Sequence, residues 1–147
     1  MVNKPSDQLQ RFHSAQGEGD RGVYAQALRE LQAGAKQTHW IWFVLPQLRA
    51  LGHSAMAERY GIADLAEAQA YLADPLLRQR LEEVIAVIAA QLQRPGQNLP
   101  LLMGGDLDAA KTLSCLTLFA AAGLPSAAAL LNQLNRLCHL TLARLQG

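Results

Sequence analysis

Polar side chains recur every three residues in one stretch that is otherwise rich in leucine and alanine. They are Asp108, Lys111, Ser114 and Thr117. Aspartate and lysine are rarely buried without a partner, so the pattern is unexpected on a packed helix. One hypothesis is structural: Asp108 and Lys111 form an exposed ion pair one turn apart, and the two hydroxyl groups donate to helix carbonyls. The other is an anion-binding site at the start of this helix, where free N–H groups lie near Lys111.

A second candidate for chemistry is the aromatic stretch around His39. His39, Trp40 and Trp42 lie within four residues and include both tryptophans of the chain. Histidine is the usual acid or base near neutral pH, and indole rings supply large apolar surfaces that can wall a pocket. We therefore expect His39 and the two tryptophans to share one pocket with the polar residues of the 108–117 stretch. The alternative is that the two groups are unrelated structural residues.

No reaction is identified by the sequence. His13, His53 and His139 are far apart and have no metal-ligand spacing, and Cys115 and Cys138 have none either. A serine-nucleophile motif and a glycine-rich phosphate loop are both missing. We therefore predict no metal and no cofactor, expect the two cysteines to be reduced core thiols, and leave open whether the chain is an enzyme.

Charge and hydropathy exclude two classes of partner. The 13 basic and 12 acidic residues nearly cancel, and no basic run is present, so we do not expect nucleic-acid binding. The longest apolar run falls short of the roughly 20 residues that span a bilayer, so we expect no membrane partner. The first residues lack the apolar segment of a signal peptide, and a cytoplasmic location is expected.

The elements that must position these residues are helical. The chain has 147 residues, half of them hydrophobic, and strand-type alternation is nearly absent. This composition predicts one all-α domain over residues 1–147, a compact bundle of six to eight helices. The aromatic segment 40–43 is expected at its centre, packed against residues 81–92 and 113–119.

Helix boundaries are predicted from capping residues, glycines and prolines. Ser54, Asp64 and Asp74 are predicted N-caps, and Thr38 is predicted to cap the short aromatic helix. Residues 95–105 are expected to form a loop. The predicted helices, including these four, span about residues 8–15, 24–33, 39–45, 55–60, 65–73, 75–92 and 107–122. They are followed by one helix or a fused helix pair over 126–146.

Three segments carry residues in a distinctive order and spacing. They read K-x-x-H-W-x-W-F-x-x-P-Q at 36–47, E-R-Y-x-I-x-x-L-x-E-A-x-x-Y-L-x-x-P-x-x-x-x-R-L at 58–81, and G-x-x-x-D-x-x-K-x-x-S-x-x-T-L-F at 104–119. Together they resemble the bacterial family of unknown function DUF1810 over about residues 7–124. The resemblance implies a compact all-helical fold and no established activity.

The sequence departs from this family's pattern at two points. Cys115 stands where the pattern has a second serine after Ser114, which keeps the size but weakens hydrogen bonding. Near the C-terminus, residues 132–139 replace a turn that contains glycine and aspartate. Because no helix breaker is present there, we expect the last two helices to be fused.

A non-enzymatic interaction or regulatory domain is the function that the sequence favours. The missing nucleophile, metal spacing and cofactor motif support it. This hypothesis predicts an exposed apolar patch along Leu130, Leu134 and Leu137, where a protein partner would bind. The oligomeric state is left open.

The alternative is a small-molecule or nucleotide-type binding protein, including a hydrolase. Its pocket would be formed by His39, Trp42, Asp108 and Lys111. In this hypothesis Lys111 attracts a small polar or anionic ligand, Asp108 is an acid or base, and the aromatic walls stack on a planar group.

Overall fold

The chain folds into helices that are joined by short turns. The computed structural model describes residues 5–146, and the surroundings of side chains from residue 8 onward. Residues 1–4 and 147 lie outside this part. They include both predicted ends of the domain and some of the first residues on which the signal-peptide prediction depends. The helices are α1 (Pro5–Gln16), α2 (Val23–Gln32), α3 (Ile41–Val44), α4 (Ala55–Tyr60), α5 (Leu65–Ala73), α6 (Pro75–Gln91), α7 (Leu99–Met103), α8 (Asp106–Ala121), α9 (Pro125–Leu134) and α10 (His139–Gln146), with a 3₁₀ turn at Arg49–Leu51.

The all-α prediction is confirmed, but the predicted number of six to eight helices is too low. Residues 5–146 contain ten α-helices, and their only extended pairing is an isolated parallel bridge between Leu48 and Ile62. One additional helix is α7, which lies inside the predicted loop 95–105. The Asn98 side chain accepts a hydrogen bond from the N–H of Leu101, and Pro100 lies in the first turn. These two residues start a helix of little more than one turn.

The second additional helix arises because the stretch over 126–146 is neither one helix nor a fused pair. Asn135 has φ 54° and ψ 42°, a left-handed conformation, and α9 ends there. The N–H of Asn135 donates to the carbonyl of Asn132, and the N–H of Arg136 donates to that of Leu131. Asparagine adopts this conformation more readily than other residues with a Cβ, so the corner forms without glycine.

The predicted caps of three helices are confirmed, and the fourth is wrong. The side chains of Ser54, Asp64 and Asp74 accept hydrogen bonds from N–H groups in the first turns of α4, α5 and α6. Thr38 does not cap the aromatic helix, because α3 begins only at Ile41. Its hydroxyl group donates instead to the carboxylate of Glu30, at 2.6 Å.

The buried hydrophobic residues form one cluster, and the aromatic segment lies within it. Trp40 is fully enclosed, and Tyr71 packs against both Phe12 and Phe119 with ring centroids 5.1 Å apart. Packing of α3 against α8 was expected and is found, together with packing against α1 and α4. Residues 81–92 were expected as the other main partner, but they lie in α6, whose main neighbours are α2, α5 and α9 instead.

Helix length also bears on membranes. Within residues 5–146, no helix combines the length and the apolar character that crossing a bilayer requires.

Candidate functional site

The loop between α2 and α3 is held by a buried carboxylate. Glu30 is only 5 % exposed. It accepts hydrogen bonds from the N–H groups of Gln37 and Thr38 at 2.7 and 3.0 Å, from the Thr38 hydroxyl group, and from the indole N–H of Trp40 at 2.9 Å. One side chain therefore fixes both the backbone of the loop and the first tryptophan.

These hydrogen bonds keep Glu30 ionised. Burial alone raises the pKa of this carboxyl group, but the donors from Thr38, Gln37 and Trp40 outweigh burial and lower the pKa from 4.5 to about 2. Sequence analysis did not single out Glu30. The available signal was its position three residues after Ala27, on the face of α2 that is otherwise apolar and buried.

Asp108 lies at the start of α8 between two lysines. Its carboxylate is 2.8 Å from Nζ of Lys36 and 3.6 Å from Nζ of Lys111. The pair with Lys111 was predicted, whereas the shorter pair with Lys36 was missed because the two residues are far apart in sequence. Asp106 and Asp108 also place two carboxylates in the first turn of α8, where they complement the helix dipole. The start of this helix therefore already holds its own anions.

Each of these lysines contacts a tryptophan ring. Nζ of Lys36 lies 4.9 Å from the ring centroid of Trp40, and Nζ of Lys111 lies 5.8 Å from that of Trp42. Lys36 also donates to the carbonyl of Thr38 at 2.6 Å. Lys36 is thus bound on several sides within the loop, and Lys111 is held less tightly.

Two adjoining cavities open beside α8, the first next to this loop and the second next to residues 47–54 and the C-terminal segment. The first has a volume of about 380 Å³ and the second about 390 Å³, and Trp42, Ser54 and Lys111 line both. We refer to the pair as the Trp42 cleft. Other residues that line the first cavity include Lys36, His39, Met56 and Asp108, and others that line the second include Gln47, Leu107, Ser114 and Leu140.

Most of the residues proposed for the site lie on this cleft, and two do not. His39, Trp42, Asp108 and Lys111 line the first cavity, as the shared-pocket hypothesis requires. Trp40 lies outside it, because its ring is fully buried and its N–H binds Glu30.

The two hydroxyl groups of α8 connect this helix to the C-terminal segment. Thr117 lies outside both cavities: its hydroxyl group donates to the carbonyl of Leu113 at 2.7 Å and accepts from the N–H of Cys138 at 2.9 Å. Ser114 lines the second cavity, but its hydroxyl group is bonded to that of Thr141 at 2.9 Å. Both side chains are therefore committed to holding α10 against α8.

The exposed apolar surface is not where the sequence placed it. Leu130 is buried and Leu134 packs against the core, which leaves only Leu137 of the predicted patch exposed. Leu107 and Leu140 are instead 76 % and 70 % exposed, and both line the second cavity. The corner at Asn135 is the reason, since it turns α10 away from the line of α9 and carries Leu140 to the cleft.

Comparison with known proteins places this arrangement in a family. The sequence profile described as "Protein of unknown function (DUF1810)" matches residues 6–141. The chain belongs to the DUF1810 family. Its structure is similar to the crystal structure of the conserved hypothetical protein Rv1873 from Mycobacterium tuberculosis, with a TM-score of 0.85 and 39% sequence identity over 98% of this chain and 99% of that one. No curated protein matches the sequence.

The DUF1810 match extends beyond the resemblance found by inspection. It includes the segment after residue 124, and therefore the Asn135 corner and the beginning of α10.

Cys115, where the sequence departs from the family pattern, belongs to the hydrophobic core. This residue is fully buried, and burial raises the pKa of its thiol. Among the described residues, no group of three or more histidine, cysteine and acidic side chains is arranged to hold a metal ion.

Proposed function

We propose that this DUF1810 protein is a non-enzymatic interaction domain that binds a segment of a partner protein in the Trp42 cleft. The observation that carries the proposal is the convergence of two exposed leucines, from two helices, on one cavity. Single exposed leucines are common on protein surfaces. Leu107 and Leu140 instead line one concave surface beside the ring of Trp42, which is an arrangement typical of contact sites between proteins.

The energy available from these leucines is large enough to matter. Burying a leucine side chain contributes about 1.5–3 kcal/mol, and roughly three quarters of each of these two is exposed. Covering both would contribute about 2–4 kcal/mol. This corresponds to roughly a hundredfold in affinity, since each 1.4 kcal/mol changes affinity tenfold.

The experiment compares two variants in which exposed leucines are replaced by serine, one at the cleft and one away from it. Leu107→Ser combined with Leu140→Ser removes both apolar contacts of the cleft. Leu101→Ser is the matched control, because Leu101 is 58 % exposed on α7 and does not line the cleft. Each purified protein is used to capture partners from an extract of the source cells, and captured proteins are quantified by mass spectrometry. A captured protein is then purified and its affinity is measured.

We expect a partner that binds the unchanged protein and the Leu101→Ser control, and binds the double variant about a hundredfold more weakly. Equal capture by all three proteins would refute the proposal, as would the absence of any partner above background.

A small polar or anionic ligand is the other candidate for the same cleft, and the first cavity supports it. The ammonium groups of Lys36 and Lys111 and the carboxylate of Asp108 line this cavity, and together they leave a net positive charge. Asp108 is already bonded to Lys36, which makes it a poor free acid or base. A thermal-shift screen with dicarboxylates, nucleotides and sugar phosphates tests this candidate, since a ligand at 100 times its Kd adds about 2.7 kcal/mol of stability. A shift that is lost in Lys111→Ala would favour the small ligand over the protein partner.

A further inference from the structure

We propose that the Trp42 cleft recognises the C-terminal residue of a partner polypeptide, and that this residue carries an apolar side chain. The inference rests on the proposed function and specifies the chemistry of the segment that binds. Such a residue presents three groups together: a peptide group, a free carboxylate and an apolar side chain. The second cavity offers a counterpart to each.

The counterpart of the peptide group is the side-chain amide of Gln47. This residue is 4 % exposed and lines the second cavity, and its Nε2 atom is fully buried without a hydrogen-bond partner among the described residues. Buried amides are almost always bonded, because a buried donor that has lost its bond to water and has gained no other is destabilising. A half-turn about its terminal bond exchanges the donor and acceptor ends, so it can bond to either the N–H or the carbonyl of a peptide group.

The backbone around Gln47 is fixed independently of its side chain. The carbonyl of Gln47 accepts from the N–H of Ile62 at 2.8 Å, and the N–H of Arg49 donates to the carbonyl of Ile62 at 2.8 Å. This pairing forms the isolated bridge between Leu48 and Ile62. The backbone that carries the Gln47 side chain is therefore held in place before any ligand arrives.

The counterpart of the carboxylate is the ammonium group of Lys111. Lys36 is the closer partner of Asp108, at 2.8 Å against 3.6 Å for Lys111. The side chain of Lys111 is 30% exposed, and the charges of these three residues sum to +1. Lys111 also lines both cavities, and its Nζ lies beside the ring of Trp42, which lines both as well. An incoming carboxylate would neutralise the remaining positive charge.

The apolar counterpart is formed by Leu107, Leu140 and the ring of Trp42. A C-terminal residue joins its side chain, carboxylate and peptide N–H at a single Cα atom, so one residue can serve all three counterparts. An internal acidic residue has its carboxylate on its side chain and cannot present an apolar side chain from the same Cα atom. The combined lining therefore favours a chain end over an internal segment.

The test uses three synthetic peptides titrated by isothermal calorimetry. The first is N-acetyl-Ala-Ala-Leu with a free carboxylate, the second is the same peptide as its C-terminal amide, and the third is N-acetyl-Ala-Ala-Ser with a free carboxylate. Each is titrated into the unchanged protein and into the variants Lys111→Met and Gln47→Met. Gln93→Met is the control, because Gln93 is an exposed glutamine in the turn that follows α6.

We expect N-acetyl-Ala-Ala-Leu with its free carboxylate to bind at least tenfold more tightly than the other two peptides. This difference should be found for the unchanged protein and for Gln93→Met. Lys111→Met and Gln47→Met should each lose at least tenfold in affinity for the free leucine peptide. Equal binding of the acid and the amide would overturn the inference, and so would undiminished binding to both cleft variants or no binding of any peptide. If a captured partner depends on Leu107 and Leu140 while these peptides do not bind, the proposed function stands and the inference fails.

A second measurement separates loss of binding from loss of folding. Because Nε2 of Gln47 has no hydrogen-bond partner in the part of the chain that the structure describes, Gln47→Met should melt at the same temperature as the unchanged protein or higher. A lower melting temperature would show that the amide is structural and would overturn its role in binding.

Discussion

Replacement of Glu30 by glutamine tests how the loop at the Trp42 cleft is held. The variant keeps the size and one acceptor oxygen of the side chain, and it replaces the other oxygen with an NH₂ group. Oε1 accepts from two backbone N–H groups and an indole, and Oε2 accepts from the hydroxyl group of Thr38 and the amide of Gln26. The glutamine can keep its carbonyl oxygen on the side of the three N–H donors, because the hydroxyl group of Thr38 and the amide of Gln26 can both turn to accept from NH₂; what the variant loses is the negative charge that strengthens these hydrogen bonds.

The size of the effect follows from the pKa of this carboxyl group. A fall from 4.5 to about 2 corresponds to an upper limit of about 3 kcal/mol, since each pKa unit is worth roughly 1.4 kcal/mol. Gln37 and Thr38 are exposed, and water near them weakens the interaction. We therefore expect Glu30→Gln to lower the free energy of unfolding at pH 7 by about 2 kcal/mol. Urea denaturation followed by circular dichroism measures this difference.

The pH dependence has a definite sign. The pKa of Glu30 is lower in the folded state than in the unfolded chain, so its contribution is fully present above about pH 4.5 and is lost as the pH falls toward 2. About three fifths of it should be gone at pH 3. The difference between the two proteins should therefore shrink over the same range.

A matched control removes a carboxylate that is not buried. Glu18 is exposed, and Glu18→Gln should change the unfolding free energy by less than about 0.5 kcal/mol. An effect of Glu30→Gln at pH 7 as small as that of this control would show that Glu30 does not hold the loop in this way. A stability difference from the unchanged protein that is the same at pH 3 and pH 7 would show it too.

Two further outcomes are expected. Gly52→Ala should lower the unfolding free energy by about 1–3 kcal/mol in urea denaturation, because the added Cβ would lie 2.6 Å from Cβ of Ala57 and 2.8 Å from Cη2 of Trp42; unchanged stability would contradict this packing. Burial raises the pKa of the Cys115 thiol, so a disulfide reagent should modify only Cys138 in the folded protein and both thiols in denaturant; two equally fast thiols in the folded protein would contradict it.

The parts of the fold that were predictable are those with local signals. The caps at Ser54, Asp64 and Asp74 lie within three residues of the N–H groups they bind, so spacing alone reveals them. The corner at Asn135 depends on a backbone conformation that asparagine accepts but does not require. It could not be distinguished from a continuous helix, and the exposed surface of the C-terminal segment was misplaced as a result.

The candidate site divides in the same way. His39, Trp42, Asp108 and Lys111 were selected because their residue types were unusual for their surroundings, and all four line the first cavity. The selection failed for Trp40, because an aromatic residue beside a pocket and one inside the core have the same local sequence.

Lys36 and Gln47 were not proposed for the site from the sequence. Lys36 pairs with Asp108, 72 positions away in the chain, and Nε2 of Gln47 is buried with no partner among the described residues. Neither the ion pair of Lys36 nor the environment of the Gln47 amide produces a spacing pattern that can be recognised in the sequence. Both become visible only when the neighbours of each atom are known.

The two tryptophans lie two positions apart in the chain but in different surroundings. Trp40 is fully buried in the core, and its indole N–H donates to the ionised carboxylate of Glu30. Trp42 lines both cavities of the cleft. The protein thus contains an optical reporter and an internal reference. A molecule that enters the cleft should alter the polarity around Trp42 more than around Trp40, so occupancy can be followed by ultraviolet emission without any attached dye.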